Sequence, residues 1–215
     1  MQKVIFLDID GVMNSQIFYR DRHKKRWRKP VTYWYLIKKY TKQMLGIKPK
    51  VVSLSDWKPP KSFYEFEYQF NRLKTETCPQ KWKWLSEWCN ETGTKICISS
   101  VWRNHFGDSE YRSTPEKWED AFQLLGFQPG TYVGVTGGRE ECRGKEIQTW
   151  LDNHPEVEDY VILDDDSDML DHQFNHFHHC DGWFGLTPNH LYRIKRQFEG
   201  KSNYEKLVKV HKEIK

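Results

Sequence analysis

Two carboxylates one residue apart, Asp8 and Asp10, follow the short apolar run from Val4 to Leu7 and precede Gly11. Residues two apart on a strand face the same side, so both acids can converge on one ligand. Gly11 allows the chain to turn sharply at this point. An isolated D-x-D also occurs in turns and calcium loops, so the preceding strand and the later motifs give this one its weight.

Three further apolar runs continue the pattern, and two of them end in residues suited to phosphate or metal. Ser99 and Ser100 follow the run from Lys95 to Ile98, and the run from Tyr132 to Val135 comes next. The run from Tyr160 to Leu163 ends in an acidic cluster made of Asp164, Asp165, Asp166 and Asp168. The basic residues Arg143 and Lys145 open the helical segment before this last run.

Segments with helical apolar spacing separate these runs, at about 80–90, 115–125 and 144–153. Strands that alternate with helices of this length predict a doubly wound α/β fold with a parallel sheet. Ligands of such sheets bind beyond the carboxyl ends of the strands, where the polar residues lie. A fifth strand is expected at 176–180 and helices at 187–198 and 204–214, with Thr187 as an N-cap before Pro188.

The four motifs VIFLDIDGV, KICISS, RGK and YVILDDDSD resemble those of the haloacid dehalogenase (HAD) superfamily. The segments ISSVWR, RGKEIQTWL, VILDDDSDM and GLT are similar to the HAD domain of multi-enzyme RNA-repair proteins and of free-standing phage and bacterial relatives. The resemblance covers residues 1–13 and about 78–198. It implies a HAD-like Rossmannoid parallel sheet with helices on both faces.

The resemblance also implies a two-step phosphoryl transfer in which Asp8 is the nucleophile and Asp10 is the general acid and base. It implies a Mg²⁺ ion held by Asp8, the Asp10 carbonyl and Asp165. Asp164 would orient the metal ligands and Asp168 would ligate through water. Ser99, or Ser100 in its place, would donate to a phosphoryl oxygen, and Arg143 or Lys145 would supply positive charge. Arg103 either contacts a substrate phosphate or forms a structural ion pair. The R-G-x-E-I pattern favours Arg143, whereas lysine is the commoner choice across the superfamily.

We predict a catalytic core at 1–13 and 78–200, an insertion at 14–77 and a helical tail at 201–215. The insertion carries 16 Lys and Arg against 5 Asp and Glu, about +11 in a chain whose net charge is +4. It contains a candidate amphipathic helix at 31–45. Its position directly after the first strand suits a cap that covers the site and selects the substrate.

A basic cluster interleaved with aromatic residues begins this insertion. Cations that neutralise phosphates beside rings that stack on bases suit single-stranded nucleic acid or nucleotides, which makes Arg26 and Trp27 candidate substrate-binding residues. The alternative is a solvated basic face whose rings pack the cap on the core. The cluster comprises Arg20, Arg22, Lys24, Lys25, Arg26, Arg28 and Lys29, with Tyr19, Trp27, Tyr33, Trp34 and Tyr35.

Composition predicts a soluble cytoplasmic protein. No stretch approaches the ~18 apolar residues of a membrane span. The five scattered cysteines form no C-x-x-C pair, so neither a disulfide framework nor a zinc ribbon is expected. The histidines at 172, 176, 178 and 179, with Cys180, also lack the usual spacing of a zinc site.

The leading functional hypothesis is a magnesium-dependent phosphomonoester hydrolase acting on RNA or DNA 3′- or 5′-phosphate ends. Three alternatives stay open at this point. They are a mononucleotide 5′-phosphatase, a phosphotransferase or small-metabolite phosphatase, and a nucleic-acid-binding protein on an inactive HAD scaffold. The acidic cluster argues against pure binding, because it repels phosphate unless a cation is present. Substrate, end polarity and oligomeric state do not follow from the sequence.

Overall fold

The structure is a computed structural model that describes residues 2–27, 66–106, 115–138 and 140–200, with side chains of 22–27 excluded. Five strands and six α-helices lie in these ranges, with short 3-10 helices at Val101–Asn104 and Asp171–Gln173. In chain order, the elements are β1 (Gln2–Leu7), α1 (Gln16–Trp27), α2 (Phe66–Glu76), α3 (Pro79–Thr92), β2 (Lys95–Ile98), α4 (Pro115–Leu124), β3 (Tyr132–Val135), α5 (Arg143–Asp152), β4 (Val157–Asp164), β5 (Phe177–His179) and α6 (Pro188–Phe198).

The five strands form one parallel sheet in the order β3-β2-β1-β4-β5. The first strand therefore lies in the middle. Leu7 at its end is in register with Ile98 of β2 and with Leu163 of β4. Because all strands run the same way, their polar carboxyl-terminal extensions meet at one edge of the sheet.

Two hydrophobic cores cover the two faces of this sheet. Alternate residues of β1 divide between them: Ile5 and Leu7 belong to the larger core, and Val4 and Phe6 to the smaller one. Helices α3, α4 and α6 contribute to the larger core, and α5 contributes Ile147 and Trp150 to the smaller. The predicted α/β fold with helices on both faces is confirmed.

The chain leaves and re-enters the core at neighbouring points. The Cys78 amide donates a hydrogen bond to the Met13 carbonyl (3.0 Å), which joins the two predicted ends of the insertion. Within the insertion, α2 buries Leu73 in the larger core. The domain boundaries remain a prediction, and the expected helices at 31–45 and 204–214 lie outside the described residues.

No helix in the described ranges is long and apolar enough to cross a membrane. Thr187 is the N-cap of α6, as predicted, and Pro188 is its first residue. The five cysteines are free thiols.

Candidate active site

Asp8 and Asp164 lie side by side because they end neighbouring strands. The Asp8 amide donates to the Leu163 carbonyl (2.9 Å), which continues the β1–β4 pairing by one residue. Both carboxylates are buried, with 5% of Asp8 and 2% of Asp164 exposed. The sheet thus fixes two acids that are far apart in sequence at one point.

Asp165 completes an acidic triad with Asp8 and Asp164. One carboxylate oxygen from each of the three residues lies within 4.8 Å of the others. Gly11 permits this approach, because a Cβ at this residue would lie 2.0 Å from the Asp165 Oδ2 atom. Gly11 also has a φ of 68°, which side chains disfavour. The Gly11 of the D-x-D-G motif therefore makes room for the third acid.

Arg143 supplies the positive charge beside this triad. Its guanidinium Nη2 lies 3.5 Å from Asp8 Oδ1, and its Nε lies 3.4 Å from Asp164 Oδ2. Its Nη1 lies 3.4 Å from Glu146 Oε2. As the first residue of α5, Arg143 reaches the site across the end of the sheet.

Burial and, next in size, the charge of Asp164 raise the pKa of Asp8 to about 8, although Ser100 and Arg143 oppose the change. Burial also raises the pKa of Asp164 to about 6, against the opposing effects of the Asp166 amide and Arg143. The pKa of Asp165 is raised as well, again mainly by burial. Among the described residues, one guanidinium contacts this group of three carboxylates and does not offset them, so this part of the protein leaves excess negative charge at the site.

The two serines after β2 have different partners. The Ser100 hydroxyl hydrogen-bonds to Asp8 and accepts from the Ile9 and Trp102 amides at 3.4 and 3.3 Å. The Ser99 hydroxyl is buried and has no hydrogen-bond partner within the described residues. Ser100 is therefore fixed beside the acid expected to be the nucleophile, and Ser99 has an unused donor at the same strand end.

Asp10 accepts a hydrogen bond on each carboxylate oxygen. Asn14 Nδ2 donates to Oδ1 (2.7 Å), and the Trp102 indole Nε1 donates to Oδ2 (2.9 Å). The Gly11 amide donates to Asn14 Oδ1 (2.8 Å), which fixes the Asn14 amide group. Sequence analysis assigns neither Asn14 nor Trp102 to the site, and the structure places both beside Asp10, the predicted general acid and base.

Comparison with known proteins identifies the family of this chain. Residues 4–191 match a family model described as the HAD domain in Swiss Army Knife RNA repair proteins. The chain belongs to this HAD family. No curated protein and no solved structure matched it.

Two other predicted site residues of this HAD domain, Lys145 and Arg103, form ion pairs with glutamates. Lys145 is on the exposed surface of α5 and pairs with Glu141. Arg103 makes a two-point ion pair with buried Glu146, with nitrogen–oxygen distances of 2.8 and 3.2 Å. Both contacts engage the Arg103 guanidinium in an ion pair within the protein, so it is not free to bind a substrate phosphate in this arrangement.

Asp168 caps α5 in this HAD domain. Its Oδ2 accepts from the Arg143 amide (2.8 Å), and its carbonyl accepts from the Gly144 amide (3.1 Å). A carboxylate at a helix N-terminus stabilises the helix through its dipole. In this arrangement Asp168 acts on Arg143 through the helix backbone. Arg26 and Trp27 are the last residues of α1, and the structure does not describe their side chains.

The chemistry of the triad suits Mg²⁺. Three carboxylates offer the hard oxygen ligands that this ion prefers. Their raised pKa values mark a surplus of negative charge that a divalent cation would offset. HAD domains are generally Mg²⁺-dependent, and Asp8, Asp164 and Asp165 are the residues here that would hold the ion. Asp164, which was expected only to orient the ligands, thereby joins the candidate ligands, and the Asp10 carbonyl stays a prediction.

Proposed function

We propose that this HAD domain is a Mg²⁺-dependent phosphomonoester hydrolase that acts on phosphorylated nucleic-acid ends through an aspartyl-phosphate on Asp8. The observation that carries the proposal is the buried Asp8 carboxylate held between the Arg143 guanidinium and two further acids. Membership of a family named for RNA repair supports the substrate class.

In the first step, an Asp8 oxygen attacks the phosphorus and the ester P–O bond breaks. The leaving oxygen takes a proton from Asp10. The two donors to Asp10 suit its carboxylate form, so delivering a proton requires one of these hydrogen bonds to give way. A bound Mg²⁺ supplies positive charge that keeps Asp8 ionised and offsets the charge of the phosphate.

In the second step, Asp10 removes a proton from water, and the water oxygen attacks the phosphorus. The bond between Asp8 and phosphorus breaks and inorganic phosphate is released. Each aspartate thereby returns to its starting state, which makes the cycle catalytic. Asn14 and Trp102 are placed to receive the Asp10 carboxylate again after the first proton transfer.

The charge that spreads over the phosphoryl oxygens needs donors near Asp8. Arg143 is the cation that we assign to this role, because it already contacts Asp8. Ser100 orients the nucleophile, and the unpartnered Ser99 hydroxyl is available for a phosphoryl oxygen. Lys145 is left out of the mechanism, since its ammonium is occupied on the surface.

Phosphate release tests this function. Substrates are 3′- and 5′-phosphorylated oligonucleotides, mononucleotides and an aryl phosphate, each with Mg²⁺, for wild type and for Asp8→Asn. We expect release from oligonucleotides that is lost in Asp8→Asn. Turnover of mononucleotides but not oligonucleotides would keep the mechanism and overturn the end-processing substrate. Tight oligonucleotide binding with no release from any substrate would favour the binding-protein alternative.

The Mg²⁺ assignment has a test that does not depend on turnover. Ligand at ~100 times its dissociation constant stabilises a native state by about 2.7 kcal/mol, which is roughly 5–10 °C in Tm for a chain of this size. We expect Mg²⁺ to raise Tm in wild type and in the exposed-acid control Asp120→Asn, and to raise it much less in Asp165→Asn. An equal rise in all three proteins would place the ion elsewhere.

A further inference from the structure

Two large aromatic side chains are exposed in the turn between β5 and α6. Trp183 is 41% exposed and Phe184 is 54% exposed. We call residues 182–184 the aromatic turn. Neighbouring large apolar side chains with this exposure suggest a binding surface. The mechanism proposed above makes no use of either ring.

The aromatic turn is adjacent to the acidic triad. A Cβ at Gly182 would lie 3.0 Å from Asp165 Oδ2, so the backbone of the turn passes directly beside this carboxylate. Trp183 follows Gly182, and consecutive Cα atoms are only ~3.8 Å apart. Trp183 is therefore the next residue after the backbone that borders the Asp165 carboxylate, which is expected to hold the metal.

Backbone hydrogen bonds fix the turn to the start of α1. The Gln16 amide donates to the Gly182 carbonyl, and the Ile17 amide donates to the Trp183 carbonyl, both at 3.1 Å. The Trp183 amide donates to Asp181 Oδ1 (2.7 Å). These contacts use the backbone rather than the indole, so they fix the backbone of the turn without engaging the ring.

A cation lies over one of the rings. The Arg20 guanidinium carbon is 5.8 Å from the centre of the Trp183 ring, within the range of a cation–π contact. Arg20 is about half exposed, and the sequence of α1 is rich in Lys and Arg. Exposed rings beside cations are the combination by which proteins hold single-stranded nucleic acid.

We propose that the aromatic turn and Arg20 form a stacking platform for the nucleobase of the nucleotide whose phosphate enters the site. This inference rests on the proposed function and adds to it the recognition of the base. The exposed rings provide apolar faces on which a base can stack, and Arg20 stacks or contacts the adjoining phosphate. Stacking accepts any base, so the platform selects nucleotides over other phosphate esters without selecting a sequence.

A comparison of base-containing and abasic substrates tests the platform. The variants are Trp183→Ala, Trp183→Phe and, as a control that removes an exposed ring elsewhere, Tyr192→Ala. Base stacking is worth about 1–3 kcal/mol, or roughly 5- to 150-fold. We expect Trp183→Ala to lower kcat/KM by this factor on the terminally phosphorylated oligonucleotide. Trp183→Phe should retain most of the activity and Tyr192→Ala all of it.

The same oligonucleotide with an abasic terminal nucleotide should be a poorer substrate for wild type and should lose nothing further in Trp183→Ala. Aryl phosphate turnover should be equal in the two proteins. An equal loss on all three substrates would overturn the platform, as would no loss on any. A mononucleotide in the panel shows whether the base alone or the longer strand is needed.

Binding to the Asp8→Asn protein separates failure of the inference from failure of the proposed function. Fluorescence anisotropy of a labelled oligonucleotide is measured with and without Trp183→Ala in that background. If Trp183→Ala weakens binding of the base-containing strand but not of the abasic strand, the platform is supported even if wild type releases no phosphate. Binding that is unchanged by Trp183→Ala overturns the platform even if phosphatase activity is found.

Discussion

Asp10 is positioned by two side chains, each of which donates a hydrogen bond to one of its carboxylate oxygens. Asn14 comes from the same loop, and Trp102 comes from the 3-10 helix after β2. A group that must deliver and then remove a proton depends on its orientation as much as on its acidity. We therefore regard Asn14 and Trp102 as positioning residues for Asp10.

Trp102→Phe keeps a ring and removes the indole N–H. A hydrogen bond to a charged group is worth about 1.5–3 kcal/mol, so we expect kcat to fall roughly 10- to 100-fold on an alkyl phosphate. The fall should be smaller on an aryl phosphate, whose leaving group needs less protonation. The measurement is kcat against the leaving-group pKa.

Trp88→Phe is the matched control for this substitution. The Trp88 indole nitrogen is buried and has no hydrogen-bond partner within the described residues. Its replacement by Phe should leave kcat unchanged on both esters. If Trp102→Phe lowered kcat equally on alkyl and aryl phosphates, the indole would not act through proton transfer.

At this scale the sequence predicts residue types better than their partners. Asp8, Asp164 and Asp165 meet as the strand pattern indicates, because neighbouring strand ends must adjoin. Whether Ser99 or Ser100 contacts Asp8 depends on the path of the chain after β2. The apolar periodicity of the sequence does not predict this path. The contact of Trp102 with Asp10 joins two loops and has no local signal.

Helix α5 shows how the phase of one element decides between two candidate cations. Ile147 and Trp150 are buried against the sheet, and Arg143 lies four and seven residues before them on the same face. Lys145 is two residues further along and therefore points to solvent, where it pairs with Glu141. The sequence R-G-K alone does not show whether Arg143 or Lys145 faces the acidic triad. Their positions on the helix place Arg143 on the side of the sheet and Lys145 on the solvent side.

Arg143→Ala and Lys145→Ala test this difference within one helix. Loss of a charge-stabilising donor typically costs 10²- to 10³-fold in kcat, which we expect for Arg143→Ala. Lys145→Ala should stay within twofold of wild type. A large loss in Lys145→Ala with little effect of Arg143→Ala would reverse the assignment.

The predicted strand positions are confirmed at this scale, since β2 and β3 occupy the predicted residues and the other three strands differ only at their ends. Continuous apolar runs are a strong signal for buried parallel strands. The capping of α5 by Asp168 is harder to predict from the sequence. Asp168 follows β4, whereas the helix that it caps precedes β4 in the chain.

Two histidines make the folding stability of the protein depend on pH. Burial lowers the pKa of His178 and of His105 to about 4 each. His178 Nε2 is 2.8 Å from Gln197 Oε1, and its Nδ1 is buried without a partner in the described ranges. Protonation would add a second N–H where no acceptor is found.

His178→Gln should reduce the loss of stability in acid. The unfolded imidazole binds a proton near pH 6.5 and the folded one near 4, so folding stability falls as pH drops through this window. From pH 7.5 to 5, His178 should contribute a loss of about 2 kcal/mol. Urea unfolding at both pH values measures it.

The contribution of His178 is obtained by comparing wild type with His178→Gln, because other groups change the folding stability with pH in the opposite direction. Asp8 and Asp164 have raised pKa values, so folding becomes less stable as pH rises through them. These acids contribute equally to wild type and to His178→Gln and cancel in the difference. An identical change of unfolding free energy in both proteins would show that His178 is protonated in the fold.

The central place of β1 in the sheet has a consequence for biosynthesis. This strand is synthesised before the other four described strands, yet its neighbour β4 begins only at Val157. Until then, one edge of β1 is without its native partner, and exposed strand edges favour aggregation. The acidic triad, too, cannot assemble before Asp165 has been synthesised, so two of its three carboxylates are missing until β4 is complete.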